Sequence, residues 1–333
     1  MSDAPRWITE ADVVELIDLP DAIDAVEQAL AGEAGGGGRS MDKTHLGWEG
    51  GHGLHALGGW SGDLGLVATK TWAHTDGGAS PLLVLWDLHT GSLRAVMEAF
   101  ALGQLRTASV TAVATRWLAP AEAEVMAMIG SGRQARAQVA AVAAVRSLAE
   151  VRVFSPTPAH RRRFVEELRE TDWAGVVVEA PSVEAAVDSA RVVTTATRSR
   201  SEFLSASSLA AGGHVNALGA IVPEGRELAA DVLERCTVVV ADSPEAAQRL
   251  SSELDGAGQV VSLAQVVGTG GGRPAGADLT LFKAMGIGLA DLAVGAEVAR
   301  RAQAHDVGRP LPHRQKAAPR LGRPPAGALR KDE

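Results

Sequence analysis

The chain has 333 residues, of which 46% are hydrophobic and 22% charged, so it is long enough for two domains with sizeable cores. Its formal net charge of -8 predicts no nucleic-acid partner, and no stretch approaches the roughly 20 uninterrupted apolar residues of a membrane span. The single cysteine, Cys236, excludes an intrachain disulfide and a cysteine-cluster metal site, and without a signal-peptide pattern at the N-terminus we expect a cytoplasmic protein.

The first 118 residues are predicted to form a domain of their own. Thr9 and Asp12 have the spacing of a helix capping box, and Pro20 suits the first turn of a second helix. The glycine-rich run 32–38 favours a loop, because glycine loses the most backbone entropy on ordering. An antiparallel or mixed sheet is predicted from strands at 54–57, 64–71 and 82–88, followed by a helix at 104–118.

From residue 119 onward, short apolar strands alternate with helical segments, which is the pattern of a parallel α/β sheet. The predicted fold class is therefore α/β, with a doubly wound Rossmann domain over 119–300 in the usual strand order. Residues 301–333 are assigned to the first domain, and their basic, Pro- and Gly-rich tail from Gly308 onward is expected to be mobile. Strands are predicted at 125–129, 151–154, 176–178, 192–196, 215–218 and 237–240, and helices at 134–145, 159–168 and 289–304.

A phosphate-binding loop is predicted at Gly130-Ser131-Gly132-Arg133-Gln134-Ala135, directly after a buried strand and at the start of a helix. Gly130 permits a tight turn, Gly132 lets the backbone approach a pyrophosphate, and small Ala135 allows the helix to pack closely on the strand. Amides at the helix start bind the anion. In a chain with 37 glycines such a motif can occur by chance, but the flanking strand and helix favour a dinucleotide site.

The end of the second predicted strand indicates which dinucleotide is bound. A carboxylate there would bind the ribose hydroxyls of NAD or S-adenosylmethionine, but this chain has Ser155 and Thr157, with Arg161 to Arg163 just beyond. Hydroxyls and cations favour the 2′-phosphate of NADP(H), with NAD(H) beside an exposed arginine face as the alternative. Further cofactor contacts are assigned to residues near the ends of later segments: Ala196, Thr197, Gly219 and Gly286.

Several ordered motifs accompany the phosphate loop along most of the chain. They are Lys70-Thr71, Asp87 with Thr90-Gly91, Leu105-Arg106-Thr107-Ala108, Asn216-Ala217-Leu218-Gly219 with Pro223 and Glu227-Leu228, and Leu281-Phe282-Lys283 with Gly286 and Asp291-Leu292. Together they resemble the ornithine cyclodeaminase and mu-crystallin family, whose members bind NAD(P) and act on amino acids or cyclic imino acids. The resemblance implies a homodimer, in which an α+β domain outside the Rossmann domain supplies the dimerisation interface and the substrate-binding walls.

The resemblance also implies roles for individual residues. In the family a lysine and two arginines bind the substrate carboxylate; Lys70 and Arg106 match two of these positions, and Lys43 lies near the third. Cations suit this role because a carboxylate buried beside a nicotinamide needs its charge balanced. Thr107, at the start of its predicted helix, is expected to face the cofactor phosphates with help from N-terminal amides, or otherwise to cap that helix.

Three positions differ from those of the family's cyclodeaminases. Ile221 stands where those enzymes carry a catalytic aspartate, His55 near a glutamate and His74 near an asparagine. Without the aspartate, the sequence of oxidation, ring closure and reduction that expels ammonia lacks its acid–base group. His74 is our candidate for a substrate contact or proton relay, with a surface histidine as the alternative. No metal site is assigned, because His52 and His55 have weak ligand spacing.

The function predicted from these residues is hydride transfer between NAD(P)H and a carbon–nitrogen bond of a small amino acid or cyclic imino acid, as in a ketimine reductase or an amino-acid dehydrogenase. This chemistry needs carboxylate binding, an aligned nicotinamide and one proton, which Lys70 supplies if the pocket lowers its pKa. The absence of tyrosine excludes dehydrogenases that use a Tyr–Lys pair. The alternatives are a true ornithine cyclodeaminase, which forms ammonia, and a non-catalytic protein that binds NADPH and a small ligand.

Overall fold

Two large β-sheets form the framework of the protein. The computed structural model describes residues 4–322, except 172, 174, 314 and 320. Within these residues, no helix has the length and apolar character required to cross a membrane.

The strands are β1 (Arg6–Ile8), β2 (Gly38–Ser40), β3 (Thr44–Trp48), β4 (His52–Ser61), β5 (Leu66–Thr75), β6 (Gly78–Ala79), β7 (Leu82–Asp87), β8 (Leu93–Glu98), β9 (Val125–Ile129), β10 (Glu150–Phe154), β11 (Val176–Glu179), β12 (Val192–Thr195), β13 (Arg200–Leu204), β14 (Gly213–Ala217), β15 (Arg226–Leu228), β16 (Cys236–Ala241), β17 (Val260–Ser262), β18 (Leu279–Lys283) and β19 (Arg309–Pro310). The helices are α1 (Glu10–Leu16), α2 (Leu19–Ala34), α3 (Phe100–Leu118), α4 (Ala135–Ala143), α5 (Pro158–Arg169), α6 (Val183–Val187), α7 (Ala230–Arg235), α8 (Pro244–Leu250), α9 (Leu263–Thr269) and α10 (Gly288–His305).

The first sheet is mixed and has nine strands, in the order β19-β1-β8-β7-β5-β4-β2, with β3 paired to β4 and β6 to β5. Its pairs are antiparallel except that β1 runs parallel to β8. The strands predicted at 54–57, 64–71 and 82–88 correspond to β4, β5 and β7, so the prediction of an antiparallel or mixed sheet is confirmed. One face of the sheet packs on helices of the same domain, and the other carries exposed apolar side chains.

Helix α10 lies across the packed face of this sheet. Gly288, its first residue, approaches Gly58 of β4 so closely that a Cβ would lie 2.1 Å from the Gly58 carbonyl oxygen. Leu83 and Leu85 of β7 are fully buried in one core with Leu292 of the helix. The domain boundary predicted at residue 301 falls inside this helix, which spans Gly288–His305.

Helices start where side chains cap their free N–H groups. Thr9 and Asp12 form the predicted capping box of α1, and Pro20 lies in the first turn of α2. Helix α3 begins at Phe100 and not at residue 104, because the carboxylate of Glu10 accepts hydrogen bonds from the first two N–H groups of the helix. The cap comes from another helix, so nothing in the local sequence of α3 pointed to it.

Two segments that were predicted to be irregular are partly regular. Helix α2 continues through Gly32 to Ala34, because it packs against α3 and α9, and β2 begins at Gly38, so the glycine loop spans only 35–37. The tail pairs with β1 through β19, and the N–H of Leu311 donates to the carbonyl of Pro5. Residues 323–333 of the tail predicted to be mobile lie outside the described residues.

The second sheet is the predicted doubly wound sheet, with eight parallel strands in the order β11-β10-β9-β12-β14-β18-β16-β17. The six predicted strands correspond to β9, β10, β11, β12, β14 and β16, and the first five follow the usual order. The sixth does not, because the sequence analysis missed β18, a short strand that ends in a buried lysine and lies between β14 and β16. The carboxyl ends of these strands face the first domain and form the floor of a cavity.

Candidate active site

A cavity of about 670 Å³ lies between the carboxyl ends of the parallel strands and the first domain. Its wall includes most of the residues assigned to the cofactor: Thr107, Gly130, Ser131, Gly132, Arg133, Gln134, Ser155, Ala196, Thr197, Gly219 and Gly286. Lys43 and Arg106, two of the cations assigned to the substrate carboxylate, line the same cavity. The structure thus places the predicted phosphate loop and two of the cations assigned to the substrate around one space.

Five predicted site residues lie outside this wall. Ala135 is fully buried at the start of α4, which agrees with its expected packing role. Thr157 and His74 are exposed, and the structure does not bring them to the cavity. Arg161 and Lys70 lie just behind the wall, where each is bound to an acidic side chain.

The phosphate loop has the backbone conformation that its glycines permit. Gly130 has a φ of 122°, and its N–H donates to the carbonyl of Phe154. A Cβ at Gly130 would lie 2.6 Å from the carbonyl oxygen of Ala196, whereas a Cβ at Gly132 would have no atom of the described residues within 4 Å. Helix α4 starts at Ala135, whose N–H donates to the carbonyl of Gly132 at 2.9 Å, and no side chain of the N-cap residue Gln134 caps the helix. A tight turn, an open backbone at Gly132 and a helix start without a side-chain cap fit the pyrophosphate of a dinucleotide.

The end of β10 carries hydroxyl and basic side chains, as predicted. Ser155 is buried and lines the cavity together with His160, which the sequence analysis did not identify. Arg161 donates to the carbonyl of Ser155 and to the carboxylate of Glu179, both at 2.9 Å. Its guanidinium therefore has a fixed position beside the adenine end of the predicted cofactor site.

Thr107 lines the cavity from the interior of its helix. Because α3 begins at Phe100, Thr107 lies two turns from the helix start, and its hydroxyl donates to the carbonyl of Gly103 at 2.8 Å. The expected help from N-terminal amides, and the alternative role as a helix cap, are both wrong. A contact between this side chain and the cofactor stays a prediction.

Lys43 and Arg106 are neighbouring cations in the wall of the cavity, which also contains the carboxylate of Asp242. Burial lowers the pKa of Lys43, and the nearby guanidinium of Arg106 lowers it further. Gly286, with a φ of 85°, lets the loop after β18 pass close to this guanidinium, since a Cβ there would lie 3.0 Å from its Nη1 atom. A carboxylate bound between the two cations would offset their repulsion.

Lys70, the third predicted cation, belongs to a buried ion cluster. Its ammonium donates to Asp291 in the first turn of α10, and Nε of Arg106 lies 3.4 Å from the same carboxylate oxygen. Burial lowers the pKa of Lys70 to about 8, although the charge of Asp291 opposes this shift. The other oxygen of Asp291 accepts no hydrogen bond from the described residues. One carboxylate thus positions two of the cations assigned to the substrate.

Two carboxylates of the site, Asp291 and Asp242, had no role predicted from the sequence. Asp291 belongs to a motif of the resemblance, but its partner Lys70 is 221 positions away, so no local pattern connects them. Asp242 follows β16 directly and accepts hydrogen bonds from the N–H groups of Met285 at 2.7 Å and Gly286 at 2.8 Å. Burial raises its pKa, and these donors oppose the rise. Its place after an apolar strand was the signal that could have identified it.

Three stacked rings extend from the cavity along the first sheet. His45 lies opposite His55, and His55 opposite Trp72, with ring centres 4.5 Å and 4.9 Å apart. Trp72 lines the cavity, and Nζ of Lys70 lies 5.6 Å from its ring centre. Burial, reinforced by nearby cations, lowers the pKa of His55 to about 4, so this imidazole is neutral at pH 7. His52 lies on the opposite face of β4.

Apolar side chains form the rest of the wall near the cations. Ile221, in the loop after β14, is 39% exposed and faces the cavity together with Leu57, Leu218 and Met285. The position at which the resemblance placed a catalytic aspartate therefore has no group that can transfer a proton.

The phosphate loop, the doubly wound sheet and a cationic pocket in the same cavity define an oxidoreductase that uses a nicotinamide dinucleotide. A family model described as the ornithine cyclodeaminase/mu-crystallin family matches residues 6–306, and the chain belongs to this family. The resemblance found in the sequence is thereby confirmed. The chain is an NAD(P)-dependent oxidoreductase that acts on a carbon–nitrogen bond.

Similar proteins cover both domains. The chain is 33% identical over 219 residues to the ketimine reductase mu-crystallin of Macropus fuliginosus, which is 65% of this chain and 67% of that protein. An archaeal alanine dehydrogenase dimer with bound NAD superposes with a TM-score of 0.83 and 26% identity over 92% of this chain and 99% of that one. The Thermococcus litoralis delta(1)-pyrroline-2-carboxylate reductase, in complex with NADH and L-proline, shares the fold with a TM-score of 0.85 and 24% identity over 92% and 100% of the two chains.

We expect Asp291→Asn to lower the free energy of unfolding by about 3–5 kcal/mol, because it leaves the buried cations Lys70 and Arg106 without their counter-charge. Urea unfolding followed by circular dichroism measures this change. Glu297→Gln on the same helix is the matched control, since its partners are partly exposed, and a loss below about 1 kcal/mol is expected. Equal losses in the two variants would contradict the structural role of Asp291.

Proposed function

We propose that the enzyme reduces a small 2-imino acid, cyclic or linear, to the corresponding amino acid, and that it oxidises the amino acid in reverse. The observation that carries the proposal is one cavity lined by both the phosphate loop and the cations Lys43 and Arg106, with Lys70 buried just behind its wall. The relatives named ketimine reductase and delta(1)-pyrroline-2-carboxylate reductase, the latter from Bacillus cereus, support the same class of substrate.

A bound nicotinamide supplies the hydride, and the residues of the chain supply the remaining requirements of the reaction. Arg106 and Lys43 bind the substrate carboxylate and so orient the carbon that carries nitrogen. Trp72, Leu57 and Ile221 form an apolar boundary that limits water at the reacting carbon. We assign the proton that the new amine requires to Lys70, whose pKa of about 8 lets it be protonated at neutral pH and still donate.

The same cavity argues against a full cyclodeaminase cycle. That cycle needs an acid–base group at the position of Ile221, whose side chain cannot transfer a proton. Reduction of a preformed imine needs no acid–base group at this position.

We further propose that the enzyme works in the cytoplasm, where reduced nicotinamide cofactor is supplied.

For the cofactor, we propose a preference for NADP(H) over NAD(H). Ser155 and His160 line the cavity where NAD enzymes commonly carry a carboxylate, and the guanidinium of Arg161 is fixed behind Ser155. Glu179 offsets part of the Arg161 charge, so the expected preference is moderate and NAD(H) is also bound.

We also propose a homodimer, formed through the exposed face of the first sheet. Leu46 and Trp48 on β3 and Leu54 and Trp60 on β4 share this face, and their exposed fractions range from 39% to 66%. An exposed apolar face of this kind favours a protein partner. The archaeal alanine dehydrogenase, described as a dimer, supports a second copy as that partner.

The purified enzyme is expected to oxidise NADPH when it is given delta(1)-pyrroline-2-carboxylate or a related cyclic imino acid, measured as loss of absorbance at the wavelength of the reduced cofactor. Because Lys70 must be protonated, kcat/KM is expected to fall as the pH rises through about 8. Arg106→Ala should lower kcat/KM by about 100-fold, while the Kd for NADPH remains within about twofold, because the side chain serves the carboxylate.

Other outcomes of this assay would contradict the proposal. Ammonia and proline formed from L-ornithine would show a cyclodeaminase. The substrates to be tested are cyclic imino acids, pyruvate with ammonia, and L-alanine with NADP⁺. If the protein binds NADPH but converts none of them, it is a binding protein and not an enzyme.

Arg161→Ala is expected to raise the Kd for NADPH by about tenfold and to leave the Kd for NADH nearly unchanged, because only NADPH carries the 2′-phosphate. Isothermal titration calorimetry measures both constants. Arg163→Ala is the matched control, since Arg163 is exposed on the same helix and pairs with Glu167. An equal effect of Arg161→Ala on both cofactors would overturn the NADP(H) preference.

Leu54→Asp is expected to convert the dimer into a monomer, because it buries a charge in the centre of the proposed interface. Light scattering coupled to size-exclusion chromatography gives the mass of each variant. Val176→Asp introduces the same charge at an exposed apolar position of the Rossmann sheet and should remain dimeric. A monomeric wild-type chain would refute the dimer proposal.

A further inference from the structure

Three charged side chains are buried directly behind the floor of the cavity. Glu227 and Lys283 are fully buried and Glu253 is 5% exposed, and none of the three lines the cavity. Glu227 and Lys283 belong to motifs of the family resemblance to which the proposed reaction assigns no role. Burying ionised groups is costly unless each has partners, so their arrangement indicates what they hold in place.

Glu227 joins the ends of two neighbouring parallel strands. Its Oε1 accepts a hydrogen bond from the N–H of Thr197 at 2.7 Å, and its Oε2 accepts from the N–H of Gly219 at 2.9 Å and the hydroxyl of Thr195 at 2.8 Å. Thr197 follows β12, Gly219 follows β14, and both line the cavity. A Cβ at Gly219 would lie 2.3 Å from the Glu227 carboxylate, so the close approach requires glycine.

Lys283 and Glu253 form a neutral pair beside this carboxylate. The ammonium of Lys283 donates to Glu253 at 2.6 Å and to the carbonyl of Gly219 at 2.5 Å. The other oxygen of Glu253 accepts from the N–H groups of Glu227 and Leu228 at 2.6 Å and 2.9 Å. Burial raises the pKa of Glu227, whereas its hydrogen bonds with Thr197 and Thr195 oppose that rise. Because the charges of Lys283 and Glu253 offset each other, the ionised form of Glu227 gives the cluster a single net negative charge.

The backbone that Glu227 holds lies where the reacting ring of the cofactor is expected. The phosphate loop, the cations Lys43 and Arg106, and the two residues held by Glu227, Thr197 and Gly219, all line this one cavity. Thr197 lies beside the loop, since a Cβ at Gly130 would be 3.6 Å from its Cγ2 atom. A nicotinamide in that space is neutral when reduced and cationic when oxidised, so a fixed negative charge behind the floor interacts differently with the two forms.

We infer that Glu227 is a positioning residue that also biases the site toward the oxidised cofactor, because its buried charge favours the cationic ring that hydride transfer leaves behind. The inference rests on the proposed hydride transfer. Glu227 touches neither ligand and acts through the backbone of Thr197 and Gly219. The negative charge of Glu227 counteracts the cations Lys43 and Arg106, which disfavour a further positive charge on the cofactor.

The test is the ratio of the dissociation constants for NADP⁺ and NADPH, measured without substrate by quenching of tryptophan fluorescence. Glu227→Gln keeps the size of the side chain and removes its charge, so the ratio Kd(NADP⁺)/Kd(NADPH) should rise about tenfold. Glu227→Asp keeps the charge and loses the reach to both strand ends, so both constants should rise while their ratio stays within about twofold of wild type.

A second variant tests the sign of the effect, and it replaces Glu227→Gln as the test if that variant does not fold. Lys283→Met removes the positive charge of the neutral pair, so the same ratio should fall below that of wild type. A Glu227→Gln variant that weakens both forms equally, or a ratio that rises in Lys283→Met, would overturn the inference. Wild-type protein that binds neither NADP⁺ nor NADPH would overturn the proposed function instead.

Discussion

The ion cluster of Asp291 with Lys70 and Arg106 is the interaction on which the rest of the site depends. Each charge is buried or nearly so, and none is stable there without the others. Asp291 comes from the helix after the Rossmann unit, and its two partners come from a strand and a helix before it. The cluster therefore forms only when α10 is packed with Gly288 against Gly58. The cations that we assign to the substrate carboxylate are therefore held by a contact between distant parts of the chain.

Buried carboxylates perform a similar task on the cofactor side. Asp242 accepts the N–H groups of the loop after β18, and Glu227 accepts those after β12 and β14. Hydrogen bonds from N–H groups to a carboxylate are shorter and stronger than those to a neutral oxygen. The strand ends that receive the ligands are consequently fixed before any ligand arrives, which removes the cost of reorganising them during the reaction.

Local signals explain what the sequence could predict. The phosphate loop is a strand, a turn and a helix in immediate succession, so its glycines could be assigned from the amino-acid sequence alone. Lys43 and Arg106 were assigned through the family resemblance, and they line the cavity. Other interactions join residues far apart in the chain, so no periodicity of the sequence predicts them. They are the ion pair of Asp291 with Lys70, the ion pair of Lys283 with Glu253, and the cap of α3 by Glu10. His74 was chosen because it follows Lys70 closely in sequence, but it lies near the exposed end of β5, away from the cavity.

The path of the chain between the domains has a consequence for biosynthesis. The packed face of the first sheet, which carries Leu83 and Leu85, is covered by α10. The ribosome makes this helix only after the entire dinucleotide-binding unit. Residues 119–285 contain two buried apolar clusters of their own and can pack these while the nascent sheet is still uncovered. During that interval Leu83 and Leu85 remain open to water and to neighbouring chains. The same crossing that assembles the active site thus creates a period of exposure in which chaperones have an apolar surface to bind.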